Sequence, residues 1–326
     1  MLTTDPRFYD PEMARKWLEA QRWPNGPICP HCGNADPDKI TGLQGKKHRP
    51  GVYQCNEPEC REQFTVTVGT VMERSKIPLN KWLAAMHLLG AGKKGTSAHQ
   101  LHRMLGITYQ SAWFLAHRIR EAMREDDAEP IGGTGKVVEA DETYFGKAEN
   151  PRPSKQRKDR PFTKGGKFGP RGKRAIVALV ERGGRARTFH VDRATAENVR
   201  DVIVRNVSRK STLHTDESPI YTKLGKEFAA HETVIHTGDE YVRYDGDRVI
   251  HVNSAEGYFS VFKRGMKGVY QHCGEAHLHR YLSEFEFRFN RRSALGITDT
   301  ERTEAIARGA DGKRLLYRAA GSSQDA

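Results

Sequence analysis

Residues 137–145 read VVEADETYF. The stretch opens apolar and β-branched, admits Glu139, Asp141 and Glu142, then turns apolar again at Tyr144 and Phe145. Such a run predicts a strand within a sheet. A carboxylate on a buried strand is costly unless it is paired or bound to a metal ion. The stretch therefore predicts both the start of a sheet domain and a reason for acid inside it.

Working outward, RAIVALVERGGRARTFHVDR (174–193) predicts two strands joined at Gly183-Gly184. Residues 194–207 are helical in pattern, STLHTDES (211–218) is a short strand ending in acid, and helices return at 254–266 and 275–292. Strand, hairpin, helix, strand, helix is an α/β order. Upstream, the Gly-rich break IGGTGK (131–136) marks a domain boundary. Between the first two strands lies a segment (146–174) with eleven Lys or Arg and few apolar side chains. It reads either as a solvated linker or as a basic arm that orders on nucleic acid.

Residues 79–124 are helical in pattern, and a further helix near the N-terminus is opened by Asp10 and Pro11. Within TSAHQLHRMLGITYQSAWFLAHRIREAM (96–123), a Leu-Gly-Ile-Thr turn separates two helices. Gly106 suits the tight turn, Thr108 caps the second helix, and Leu101, Leu105, Ile107, Ala112, Leu115 and Ile119 fall at core spacing. The segment reads as a helix-turn-helix or as an ordinary helical hairpin. In the first reading Tyr109, Gln110 and Ser111 face a DNA groove, and His117, Arg118 and Arg120 contact phosphates.

The 326 residues suffice for two or three domains. The formal charge is +13, which favours a polyanionic partner, with nucleic acid the first candidate. No segment has the length of an apolar membrane span, and the first residues lack a signal-peptide pattern, so a reducing cytoplasm is expected. There Cys29, Cys32, Cys55 and Cys60, spaced C-x2-C-x22-C-x4-C on turns, predict a structural zinc ribbon flanked by short strands. His31 lies inside the first knuckle as a less suitable ligand, and Cys273 has no partner pair.

Asp141 and Asp216 stand on separate strands and Glu256 on the helix that Asn253 or Ser254 opens. Three such carboxylates suit two Mg²⁺ or Mn²⁺ ions in phosphodiester chemistry. Asn253, Glu256, Ser260 and Lys263 share one helix face, while Phe259, Phe262 and Met266 lie on another. Lys263 is placed to hold a substrate phosphate. In LHRYLSEFEFRFNRR (278–292), Leu278, Leu282, Phe285 and Phe289 form a packing stripe, and Arg288, Asn290, Arg291 and Arg292 either reach DNA or are solvated.

The series ADETYFG, HTDES-x-x-Y, N-S-x-E-G-Y-F-S-x-x-K-R-G and YLSEFEFRFNRR resembles the zinc-ribbon DDE transposases of bacterial insertion sequences. The resemblance spans roughly residues 20–293. It implies an RNase H-like α/β catalytic domain behind a zinc ribbon and a DNA-binding helical segment. It also implies cleavage at the inverted repeats of an element and joining of the 3′-OH to target DNA. Carried over by position, Asp141 and Asp216 are the first two metal ligands, Glu256 the third, and Lys263 the basic residue after it; Arg264 follows as a DNA contact. Some members use Asn at the third position, which keeps Asn253 open as the alternative; Glu256 is preferred because it carries charge. The implied domains are 1–75 (helix and ribbon), 76–130 (helical), 131–310 (catalytic, with the insert 146–174) and 311–326 (flexible tail). Action at two DNA ends implies a homodimer or higher multimer on DNA, associated with the nucleoid when bound. The rival readings are a non-catalytic DNA-binding regulator derived from a transposase, an RNase H-like nuclease without strand transfer, and a zinc-ribbon transcription or translation factor.

Overall fold

Asp10 opens the first helix as expected: its carboxylate accepts from the N–H groups of Glu12 and Met13, Pro11 sits in the first turn, and α1 runs Pro11–Arg22. The structure, a computed structural model, describes residues 4–45, 47–125, 129–148, 172–238 and 240–316. It forms two units, one of residues 1–124 with 292–326, the other of residues 125–291.

In the first unit, β1 (Ile40–Leu43), β2 (Val52–Cys55) and β3 (Gln63–Phe64) make a small antiparallel sheet. Trp23, Tyr53 and Phe64 pack ring to ring over it, their centroids 5.6–5.7 Å apart. Three helices follow: α2 (Leu79–Ala91), α3 (Ala98–Leu105) and α4 (Tyr109–Met123). Gly106 ends α3 with φ 57°, a left-handed cap that suits glycine, and the Thr108 hydroxyl accepts from Ser111 N–H to start α4. Leu101, Ala112, Leu115 and Ile119 are buried, as their spacing predicts, while Leu105 and Ile107, at the turn, are only half-buried.

Residues 292–310, expected within the sheet domain, join this first unit instead. The reason is α8 (Asp299–Arg308), started by a Thr298–Glu301 capping box and packed on α2. A Cβ at Gly90 would stand 3.2 Å from Ile306 Cδ1, so the glycine permits this close helix approach.

The second unit is a mixed five-stranded sheet, ordered β6-β5-β4-β7-β8. Its strands are β4 (Val137–Phe145), β5 (Arg174–Glu181), β6 (Ala186–Val191), β7 (Thr212–Asp216) and β8 (Ala230–Val234). β4, β5 and β6 are antiparallel neighbours, whereas β7 runs parallel to β4 and β8 parallel to β7. The crossover from β6 to β7 carries α5 (Ala196–Asn206). A small hairpin, β9 (Arg243–Asp245) and β10 (Arg248–Ile250), precedes α6 (Asn253–Gly265) and α7 (Leu278–Asn290). The unbroken apolar run of β5 follows from burial on both faces. Ala175, Val177 and Leu179 meet Val199 and Ile203 of α5, while Ile176, Ala178 and Val180 meet Phe259 and Phe262 of α6 and Leu282 and Phe285 of α7.

β8 and the β9–β10 hairpin were not expected from the sequence. β8 reads AHETV, and four of its five residues are only half-buried, so it lacks the apolar signature of a central strand. The stripe of Leu278, Leu282, Phe285 and Phe289 packs as expected. Its polar neighbours serve the fold rather than a ligand. Arg288 is buried against the fully buried Glu284, and Arg291 pairs with Glu125 at 2.7 Å. Asn290 brackets the edge strand β6, accepting from Ala186 N–H at 2.6 Å and donating to Ala186 carbonyl at 3.0 Å. Among the described residues no helix is long and apolar enough to cross a membrane. Most of the basic insert, 149–171, lies outside the described residues.

Candidate metal centres and active site

The cysteine centre is built from two turns. Gly33 N–H donates to Cys29 carbonyl at 2.8 Å, closing the first knuckle, and Cys60 N–H donates to Glu57 carbonyl at 3.0 Å in the second. Cys29 and Cys60 sulfurs lie 3.7 Å apart, as do those of Cys32 and Cys55, and all four fall within 4.8 Å of one another. A tetrahedral ZnS₄ site with Zn–S of about 2.3 Å has sulfur–sulfur edges of about 3.8 Å. The four thiols thus fit a structural zinc ion in size and donor type. His31 is exposed and not part of the group, and Cys273 stands apart from it.

The acid centre is built from the sheet register. β4 and β7 pair in parallel with Val137 beside Thr212 and Glu139 beside His214. The pairing ends there; Asp141 and Asp216 each lie two residues further along their strands, near enough that the charge of Asp216 acts on Asp141. Along β4, Val138 and Ala140 belong to the core under α5, so Glu139 and Asp141 point to the opposite face, the one α6 covers. Glu256 stands exposed in the first turn of α6, with Asn253 and Ser260 exposed on the same helix face and Lys263 half-buried. Phe259, Phe262 and Met266 pack inward as expected.

Electrostatics ties these groups together. Burial, then Glu142, Asp216 and Glu256, push the Asp141 carboxyl up to about 8. Burial likewise raises Asp216, against the N–H of Ser218 that its Oδ1 accepts at 3.0 Å. Burial lowers Lys263, whose ammonium feels the negative charge of Asp141. The three carboxylates share one field without closing into a cage: among the described residues only the four cysteines form a group of three or more His, Cys, Asp or Glu with ligand atoms all within 4.8 Å of one another. Such an open, oxygen-only, acid-rich face fits hard divalent cations that keep part of their water shell.

Several functional neighbours escaped the sequence reading. Glu139 is fully buried and accepts from the first turn of α6 and from Arg182. Glu142 receives the hydroxyl of the fully buried Tyr221 on the other face of β4. His236 Nε2 lies 3.9 Å from Glu256 Oε1, and the ring of Tyr241 packs beside it at 5.5 Å. VVEADETYF displayed Glu139 and Glu142 as acids in a strand, but not what they would bind. Nothing local marks Tyr221 or His236, because their partners are 79 and 20 residues away in sequence.

The helical segment splits the expected DNA contacts. Tyr109 and Gln110 are exposed at the start of α4, and Ser111 is half-buried beside the Thr108 cap. The expectation for Arg118 and Arg120 is corrected: they are 7% and 3% exposed. Arg118 donates to the carbonyls of Glu73 and Leu315 and lies over the rings of Trp82 and Phe114. His117 is also buried. The inward face of α4 demanded long side chains that span a core and reach carbonyls beyond it. Arg264 is exposed on α6, its guanidinium turned back to Ser260 at 2.9 Å.

Comparison with known proteins bears on both centres. A family described as the transposase zinc-ribbon domain matches residues 10–63, and one described as the ISXO2-like transposase domain matches residues 132–290. The chain is 28% identical over 287 residues to an uncharacterized protein in transposable element ISH50 of Halobacterium salinarum, covering 86% of this chain and 91% of that protein. Solved structures of a pre-cleavage Mos1 transpososome (12% identity, 70% of this chain, 79% of that chain, TM-score 0.27) and the Mos1 strand transfer complex (13%, 72%, 79%, TM-score 0.28) also match.

Proposed function

Since this chain belongs to the zinc-ribbon DDE transposases of insertion sequences, we propose that it binds the terminal inverted repeats of its element, cleaves at their ends and joins the freed 3′-OH to target DNA. The observation that carries this reading is that Asp141 and Asp216, on adjacent parallel strands, share one electrostatic field with Glu256 of α6, the helix that also bears Lys263. The sheet order, three antiparallel strands continued by two parallel ones, supports an RNase H-like domain.

In this reading Asp141, Asp216 and Glu256 hold two Mg²⁺ or Mn²⁺ ions, with Asn253 one turn before Glu256 as the alternative third donor. Bound there, the cations supply Lewis-acid stabilisation of the attacking and leaving oxygens. Burial makes Asp141 and Asp216 hold protons more readily than free carboxylates, the electrostatic state that a divalent cation relieves. Lys263 orients a phosphate of the bound strand. In cleavage a water oxygen attacks phosphorus and the 3′-oxygen of the element leaves. In joining that 3′-OH attacks a target phosphate, a new P–O bond forms, and the target's own 3′-oxygen departs. Tyr109, Gln110 and Ser111 at the start of α4 read the terminal repeat as the second helix of a helix-turn-helix, and Arg264 contacts the backbone near the acids. Two ends require two active sites, hence a homodimer or larger assembly on DNA, acting in the cytoplasm at the nucleoid.

The test is to incubate the purified protein with DNA covering both flanks of its gene, with Mg²⁺ or with EDTA, and to sequence the 3′ ends. Metal-dependent cuts at matching inverted repeats, followed by joining to new DNA, are expected. Tight binding without cuts would move the chain to a non-catalytic regulator, and cuts without joining to a nuclease.

A further inference from the structure

We infer that Glu139 is a positioning residue for the acid site: its buried carboxylate fixes the first turn of α6, and with it Asn253 and Glu256, against the strand that carries Asp141. The inference rests on the reading above for what the site does, but its geometry is independent of that reading.

Glu139 is 0% exposed and stands two residues before Asp141 on the same face of β4. Its Oε2 accepts from the backbone N–H groups of Ser254 at 2.7 Å and Ala255 at 3.2 Å. Its Oε1 accepts from the Ser254 hydroxyl at 3.0 Å and from Arg182 Nη2 at 2.9 Å. Arg182 in turn donates to the carbonyls of Val249 at 2.7 Å and His251 at 3.2 Å. One carboxylate–guanidinium pair therefore holds both the strand leading into α6 and the first turn of α6 itself. The helix has no side-chain cap of its own, since Val252 occupies that position. The anion that helix N-termini favour comes instead from the strand, 115 residues earlier.

A clamp of this kind is local in its effect. Downstream on α6, Phe259 and Phe262 are anchored in the core with Ile176 and Ala178. Loosening the clamp frees the turn that bears Asn253 and Glu256 while that aromatic anchor holds the rest of the helix. The consequence is a displaced ligand within a folded protein, which separates positioning from plain stability.

The test uses the full zinc-loaded chain and Mn²⁺ as the probe. Binding that depends on Asp141 is defined by subtracting an Asp141→Ala titration followed by electron paramagnetic resonance. Glu139→Gln, which keeps size but removes the charge, is expected to weaken that Mn²⁺ binding about tenfold or more, the effect typical of groups that orient metal ligands. Glu139→Asp, which keeps the charge, is expected to recover part of it. A purely stabilising role would lower Tm and leave Mn²⁺ affinity of the folded protein unchanged, and that result overturns the inference. If Glu139→Gln does not fold, Ser254→Ala removes a donor without stranding a buried charge. It is expected to weaken Mn²⁺ binding several-fold at wild-type Tm, and unchanged binding there overturns the inference as well. Wild-type protein that binds Mn²⁺ at the acids but neither cuts nor joins DNA would sink the transposase reading and leave the positioning intact. Protein that joins DNA while Glu139→Gln matches it in Mn²⁺ affinity would do the reverse.

Discussion

The cysteine centre, whose thiols fit zinc, and the acid centre, proposed for divalent cations, are encoded on different scales. The four thiols come from residues 29–60, two turns that each close within a few residues and meet through one short antiparallel pairing. The acids come from a strand at 141, a second strand at 216 and a helix at 256, brought to one face by a parallel register and a helix crossing. The first centre is closed, with sulfur edges that match a tetrahedral ion. The second is open and electrostatically loaded. Closure suits a structural ion that substitutes for a core; openness suits cations that must share their shell with a substrate.

The largest way to break this contrast is at the cysteines. Cys29→Ser removes a thiolate from a centre of the kind that contributes roughly 10–16 kcal/mol to folding. The ribbon is expected to unfold and zinc content to fall well below one ion per chain by mass spectrometry. Retained stoichiometric zinc would mean the four-cysteine centre is misassigned. At the acids the same operation should behave oppositely. Asp141→Ala is expected to cut cleavage by about 10³-fold or more, since several kcal/mol of transition-state stabilisation depend on the bound cations. DNA affinity in a filter-binding or anisotropy assay should stay at least as high, because recognition of the element end is assigned to the helical segment and not to the acids.

How much of this was legible follows the same division of scale. The zinc ribbon was readable because ligand spacing and turn residues lie side by side in CPHC and CNEPEC. The acids were readable as candidates, Asp141 because a carboxylate interrupts an apolar strand, Asp216 because it ends one. What tied them together, the parallel pairing of β4 with β7, is a property of topology that local pattern does not carry. The role of Glu139 was hidden for that reason, since its partners lie at 182 and 254–255. Arg118, Arg120 and Arg288 misled for a different reason. A basic side chain on a helix reads as an offer to phosphate, but each of these is buried, and Arg288 answers Glu284. The packing that claims them is visible only in three dimensions.

That correction is itself testable. Glu284→Gln would leave the buried Arg288 without its counter-charge, and breaking such a pair typically costs about 3–5 kcal/mol. A drop of that order in chemical-denaturant stability is expected for the second unit, without a selective loss of DNA affinity. A selective loss of binding at wild-type stability would return Arg288 to the DNA surface.

A smaller effect sharpens the electrostatic half of the comparison. Asp141 has a folded-state pKa raised from its ordinary 3.8 to about 8, chiefly by burial. Between those values the folded protein binds a proton that the unfolded chain does not, so its contribution to stability is present at low pH and lost as pH rises. With divalent cations chelated, thermal stability is expected to fall from about pH 5 to pH 8 by a few degrees, and Asp141→Asn is expected to flatten that slope. An unchanged slope in the variant would show that Asp141 is ionised in the folded protein across this range. The slightest expected change is at the helical segment. Tyr109→Ala or Gln110→Ala should each weaken binding to element-end DNA by about 1–3 kcal/mol if they read bases, with Tm unmoved; equal binding to all variants would remove α4 from recognition.

The most direct test of the account is a metal count at the two centres in one experiment. Zinc-loaded protein bound to element-end DNA is titrated with Mn²⁺, and both metals are counted per chain in the wild type and in Asp141→Ala. The account predicts one zinc in both proteins, and two Mn²⁺ in the wild type that Asp141→Ala abolishes. Mn²⁺ uptake that survives Asp141→Ala, or zinc that leaves with it, would contradict an acid centre separate from the cysteines and built for catalysis.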